Sequence, residues 1–144
     1  MQVKFRKIHP EAKTPKYQTE GSSGLDLHAM TTHTIHLQPG VRFTCPTGIA
    51  IELPEGYEAQ VRSRSGLASK HGVVVLNSPG TVDNDYTGEL KVILINHGEQ
   101  AFTFEPFDRI AQLVIAPVAQ AELVQVGVLA ETERGDGGMG STGV

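Results

Sequence analysis

Apolar residues recur at every second position in short runs, and turn residues separate the runs. Ile49, Ile51 and Leu53 alternate and stop at Pro54-Glu55-Gly56; Tyr57, Ala59 and Val61 then resume the pattern. Val3 and Phe5 precede these, as do Ile35 and Leu37. Val73 to Leu76 form a continuous apolar run of the buried-strand type, and Leu90 to Ile95 are apolar on both faces up to Asn96-His97-Gly98-Glu99. Phe102 and Phe104 follow, then Ile110, Leu113 and Ile115, and Val124, Val126 and Val128 predict a closing strand. About ten short strands with turns every 8–12 residues predict an all-β antiparallel sandwich or barrel. Helical periodicity is confined to residues 65–71, where Ser65 is placed to cap a short helix and Gly72 to end it. There is no internal repeat.

Two stretches lack the pattern. Residues 13–24 are polar and read as a loop. Residues 131–144 are Gly-rich, with Met139 and Val144 almost their only apolar side chains. Such a segment buries too little to offset its ordering entropy and is expected to move freely until a ligand binds. Five of the 16 glycines fall in the last ten residues, so this end is compositionally distinct from the rest. At 144 residues the chain suits one domain with a core of its own, here residues 1–133 followed by an arm, residues 134–144. A net charge of -4 gives no overall positive field for a nucleic-acid backbone, although a local basic site remains open to a small anion. One cysteine, Cys45, excludes an internal disulfide and any C-x-x-C site. The uncharged stretch Ile110 to Ala121 is 12 residues, too short for a helical membrane span, and no signal peptide is evident. The expectation is a soluble, cytoplasmic protein with neither nucleic-acid nor membrane partners.

Several clusters carry candidate chemistry. Gly135, Gly137 and Gly140 match G-x-G-x-x-G, but only four residues follow, so no dinucleotide-binding helix can open there. The alternatives are a plain tail or an arm that folds over a ligand, with Arg134 as its cation and close backbone approach to a phosphate. Arg62-Ser63-Arg64-Ser65-Gly66-Leu67 follows a predicted strand and opens the predicted helix, which suits an anion site or a simple helix start. Asn84-Asp85 with Gly88 predicts a tight hairpin, and Asp83 and Asp85 share a face if extended, as carboxylates acting on one water or metal would. Ordinary turn chemistry explains the same residues. In Asp108-Arg109-Ile110-Ala111-Gln112-Leu113, strand parity puts Arg109 and Gln112 on opposite faces, which favours a solvated edge arginine. The histidines show no metal-ligand spacing.

Taken in order, these segments resemble the five motifs of the trimeric dUTP pyrophosphatases (dUTPases). They are Gly24-Leu25-Asp26-Leu27, Arg62 to Ala68, Gly80 to Glu89, Asp108 to Leu113, and Arg134 to Gly143, and the similarity covers essentially the whole chain. The resemblance implies a jelly-roll-like β-barrel or sandwich and a homotrimer. Its sites lie between subunits: one supplies the first, second and fourth motifs, another the third, and the last the arm. It also implies hydrolysis of dUTP to dUMP and pyrophosphate with Mg²⁺, which keeps uracil out of DNA and supplies dUMP for thymidylate synthesis.

Carried over by position, Asp83 would activate the attacking water. Arg64, Ser65, Gly66 and Gln112 would hold the phosphates, and Asp26 would meet Mg²⁺ through water. Tyr86 would underlie the deoxyribose, and Asn77, Gly80 and Val82 would read uracil. Arg134, Gly138, Met139, Gly140 and Ser141 would close over the substrate. Two residues depart from the family pattern. Met139 replaces the usual phenylalanine on uracil, and Phe107 stands before Asp108 where glycine is usual. A dCTP deaminase of the same fold would need a glutamate base near the pyrimidine, and no such motif is present. A non-catalytic nucleotide-binding descendant would be expected to lose Asp83 or the arm, and both are present.

Overall fold

The protein is described by a computed structural model covering residues 1–139 and 141. Ten strands and one helix follow in order: β1 (Lys4–Lys7), β2 (Leu25–His28), β3 (Ile35–Leu37), β4 (Arg42–Glu52), β5 (Tyr57–Arg62), α1 (Ser65–His71), β6 (Val73–Val75), β7 (Gly80–Val82), β8 (Glu89–Asn96), β9 (Phe102–Phe104) and β10 (Arg109–Pro117). They form a four-stranded sheet, β1-β4-β8-β6, a second, β2-β10-β5-β7, and a two-stranded ribbon, β3-β9. All pairings are antiparallel.

The alternation read from the sequence is what builds the core. Along β8, Leu90, Val92 and Leu94 point inward, and Lys91 points to solvent. Leu27, Val61, Ile110 and Leu113 of the second sheet join Cys45, Ile49, Val92 and Leu94 of the first in one apolar cluster. Burial pushes the Cys45 thiol up to about 12, so it is packing material and not a nucleophile. Asn96, fully buried at the end of β8, donates to the carbonyls of Leu37 and Gln100, each at 2.8 Å, and accepts from the Gly98 N–H at 2.8 Å. A buried amide satisfied on three sides fixes the loop where the strand stops.

Four local expectations change. Val124, Val126 and Val128 form no strand: residues 118–139 contain neither strand nor helix, and nearly all are exposed. Alternation alone cannot make a strand that has no neighbour to bond. The Asn84-Asp85 turn does not close a hairpin either, because β7 pairs with β5 and β8 with β4 and β6; it carries the chain from one sheet to the other. Asp83 opens that turn and Asp85 lies within it, so the two do not share a strand face. Finally, Arg64, not Ser65, is the extended residue preceding α1, and no side chain caps the helix. Gly72 ends it as expected, with φ 68.

Phe107 takes a glycine conformation. In the turn Glu105–Pro106–Phe107–Asp108, the Asp108 N–H donates to the Glu105 carbonyl at 3.1 Å and Phe107 has φ 69, the left-handed third position of a type II turn. Its N–H donates to Ala29 O at 2.8 Å, and Lys13 Nζ sits 4.8 Å from the ring centroid. Phe107→Val is expected to cost about 1–3 kcal/mol, since a β-branched residue fits this region worst. Phe107→Gly should stay within about 1 kcal/mol of the parent, because relief of strain offsets the lost cation–π contact. Thermal melts check the order; a valine variant melting with the parent would show the turn is unstrained.

Candidate active site

The sheet β2-β10-β5-β7 brings together residues far apart in sequence. Asp26 on β2 lies opposite Gln112 on β10, and Gln112 lies opposite Arg62 on β5. The Asp26 side chain is only 11% exposed, so its charge needs partners. It has two: Arg64 Nε lies 3.5 Å from Oδ1, and Arg109 Nη1 donates to Oδ2 at 3.0 Å. Arg64 Nη1 also donates to the Arg109 backbone carbonyl at 2.9 Å. Gln112 Nε2 donates to Ser63 O at 3.0 Å, which ties β10 to the entry of α1. Gly24 makes room for this glutamine, since a Cβ there would collide with Gln112 Oε1. Ser65 and Gly66 are exposed beside these residues, in the first turn of α1, where backbone N–H groups lack intrahelical partners.

Arg109 is the functional candidate that parity arguments miss. A bulge between Arg109 and Ala111 shifts the register, so Arg109 faces His28 while Gln112 faces Asp26. Positions 28 and 26 share a face, so the bulge turns Arg109 and Gln112 to the same side. The solvated edge arginine is therefore an ion-paired one. The consecutive burial of Ile110 and Ala111 marks the same irregularity, and an apolar pair inside an alternating strand is the one sequence signal of it. His28 is held below its ordinary value, first by burial, against the pull of Asp26 and with Arg109, Lys13 and Arg64 adding to the decrease. Its Nδ1 is buried without a hydrogen-bond partner.

A second group lies on β7 and the loops at its ends. Gly80 pairs with Val61, and the Asn77 carboxamide lies over it, where a Cβ would meet Nδ2 at 3.2 Å. Val82 is buried and pairs with Ala59. Asp83 is exposed and lines a cleft of about 780 Å³ with Glu58, Asn84, Asp85 and Val118. The Tyr86 hydroxyl donates to Glu89 O at 2.9 Å and its ring packs on Gly88, which fixes the ring with 46% of the residue exposed. Because β7 runs antiparallel to β5, each step from Gly80 to Asp83 moves away from Arg62 and Arg64. Asp83, the residue after β7, comes level with Glu58, roughly 14 Å along the strand from Arg62 (four residues at about 3.4 Å each). The two groups of one chain therefore do not converge.

The third group is in the exposed segment. Arg134 Nε donates to Gly137 O at 2.8 Å, and the Ser141 N–H donates to Gly138 O at 3.0 Å. Met139 is fully exposed with φ 46. Gly140 lies outside the described residues. Among those described, the hydrogen bonds of residues 132–141 are local to the segment and reach no strand.

As for metal, no group of three or more His, Cys, Asp or Glu among the described residues could hold an ion. Asp26 is the one carboxylate in the arginine–glutamine cluster. Its oxygens face two guanidiniums but keep lone-pair capacity for a water proton. That set fits Mg²⁺ carried on substrate phosphates with its own waters, and not a cation caged by protein. No helix among the described residues is long and apolar enough to cross a membrane.

Comparison with known proteins agrees with this arrangement. A family model described as dUTPase matches residues 10–143. The deoxyuridine 5'-triphosphate nucleotidohydrolase of Nautilia profundicola is 53% identical over 143 residues, covering 99% of both chains. That of Beijerinckia indica is 60% identical over 131 residues, covering 90% of this chain and 82% of its own. A mutant dUTPase of Staphylococcus bacteriophage 80alpha with dUpNHpp superposes with a TM-score of 0.89 at 26% identity, covering 99% of each chain. A mutant dUTPase of phage phi11, whose structure reveals coordination of a structural Mg(II) ion, has a TM-score of 0.80 at 25% identity, covering 89% of this chain and 98% of its own. The ordered motifs, the fold they build and these matches over nearly the full length agree that the chain belongs to the dUTPase family.

Proposed function

We propose that the protein hydrolyses dUTP to dUMP and pyrophosphate, at sites that two or more identical chains complete. What supports the shared site is the separation of Asp83 from the Arg64–Gln112 cluster within one chain. An in-line hydrolysis needs the water-activating carboxylate and the phosphate-holding groups within a few ångströms of one phosphorus, and one chain does not provide that. A second support is the exposed apolar run in the segment after β10, where Leu123, Val128 and Leu129 are 95%, 85% and 81% exposed. Such a run calls for burial against another molecule. A homotrimer with three such sites suits both observations, with residues 134–144 as the arm that closes each site.

In this reading Arg64, the Ser65 hydroxyl, the Gly66 N–H and Gln112 hold the triphosphate and offset the charge that builds on the departing pyrophosphate. Asp83 of a neighbouring chain takes a proton from the water that attacks the α-phosphorus, and no covalent nucleophile is needed. Tyr86, fixed by its bond to Glu89, offers a ring face that leaves no room for a 2′-hydroxyl. Asn77 and the backbone of Gly80 and Val82 read the uracil edge. Mg²⁺ carried on the phosphates would neutralise part of their charge, and Asp26 would accept from one of its waters. Arg134, Gly138, Met139, Gly140 and Ser141 cover the bound nucleotide. The products fit removal of uracil from DNA precursors and supply of dUMP.

The test is pyrophosphate release from each deoxynucleoside triphosphate and from UTP, with and without Mg²⁺. Release from dUTP alone, dependent on Mg²⁺, is expected. Ammonia from dCTP would point to the deaminase chemistry of the same fold instead.

A further inference from the structure

We infer that Arg109 is a positioning residue: it holds Asp26 so that Arg64 is free to turn to the substrate's phosphates. This rests on the reading above that Arg64 binds phosphate. Asp26 is nearly buried and shared by two guanidiniums, and removing the partner of a buried charge is far costlier than losing a surface pair. The two contacts are unequal. Arg109 bonds Oδ2 at 3.0 Å, whereas Arg64 approaches Oδ1 at 3.5 Å. Arg64 is thus the looser partner of the carboxylate, and to leave it Arg64 has otherwise only its bond to the Arg109 carbonyl to release. Were Arg109 absent, Arg64 leaving would take the last guanidinium from a nearly buried carboxylate and leave it only the water of the incoming Mg²⁺. With Arg109 in place, the carboxylate stays paired throughout. Arg109 also accepts from Arg64 Nη1 through its carbonyl, so the same residue sets the fork from which Arg64 swings. The bulge before Ala111 is what gives Arg109 this direction.

The test is calorimetric binding of an α,β-imido analogue of dUTP to the assembled protein and its variants. Arg109→Gln is expected to weaken binding about tenfold or more, and Arg109→Lys to restore most of it by keeping the charge. In an Asp26→Asn background the effect of Arg109→Gln should vanish, because no buried charge is left to hold. The coupling reads the Asp26–Arg109 pairing itself; a melting curve of Arg109→Gln that matches the parent's while analogue binding falls is what a merely structural role would not give. An Arg109→Gln effect that persists undiminished beside Asp26→Asn, or no effect at all, overturns the inference. Should Arg109→Gln fail to assemble, the double variant Asp26→Asn/Arg109→Gln, which lacks the stranded charge, should assemble and bind as Asp26→Asn does; its failure also overturns the inference. Arg64→Ala separates the two layers. If that variant binds the analogue as tightly as the parent, the phosphate reading itself fails. If it binds weakly while Arg109→Gln binds normally, only the role of Arg109 falls.

Discussion

Replacing Asp83 by asparagine is expected to lower turnover of dUTP by about 10²–10⁴-fold, the usual contribution of a positioned general base. Affinity for dUTP should stay within a few-fold of the parent. Asparagine has the shape of aspartate but cannot accept the water's proton. The change should not disturb the fold. The turn is held through the Asp83 backbone carbonyl, which accepts from the Tyr86 N–H at 3.2 Å, and the Asp83 side chain is exposed. Surface changes of this kind usually move stability by less than about 0.5 kcal/mol. Steady-state kinetics with a binding measurement checks both halves. Unchanged turnover would remove Asp83 from the mechanism, and a matching loss of affinity would make it a binding residue.

Ending the chain after residue 133 should leave a folded assembly with at least about tenfold less activity, because a closing segment orients substrate and excludes water. Among the described residues the hydrogen bonds of residues 132–139 and 141 stay within the segment, so no strand is expected to lose a hydrogen-bond partner with it. What goes with it is the charge of Arg134, the Ser141 hydroxyl and the glycine backbone that would approach the phosphates. Light scattering and melting curves are expected to match the parent, and the loss should show in pyrophosphate release. A monomeric or unfolded product would mean that the segment is structural.

Much of the strand framework was legible because half-buried strands write their burial into alternate positions, as Leu90, Val92 and Leu94 do. The short helix was legible from Ser65 to its glycine stop at Gly72. Three features were hidden for stated reasons. The Arg109 bulge adds one residue and reverses parity, and only the adjacent Ile110 and Ala111 hint at it. The Asn84-Asp85 turn has hairpin residues, but whether its flanking strands pair depends on which other strands compete for them. Val124, Val126 and Val128 alternate like a strand, yet a strand exists only with a neighbour, and one chain supplies none. The ordered motifs supplied the candidate site residues. What spacing did not show is that Asp83 is carried along the sheet away from the Arg64–Gln112 group, which follows from the direction of β7 against β5.

That separation makes subunit mixing the most direct test. Asp83→Asn and Arg64→Ala are each prepared alone, shown to have little activity on dUTP, and then unfolded and refolded together in equal amounts. If the water-activating and phosphate-holding groups come from different copies, random assembly gives about one quarter of sites with both groups intact, and about a quarter of parental turnover returns. If one chain holds both groups of its own site, every site in the mixture carries one defect, and activity stays at the level of the separate variants.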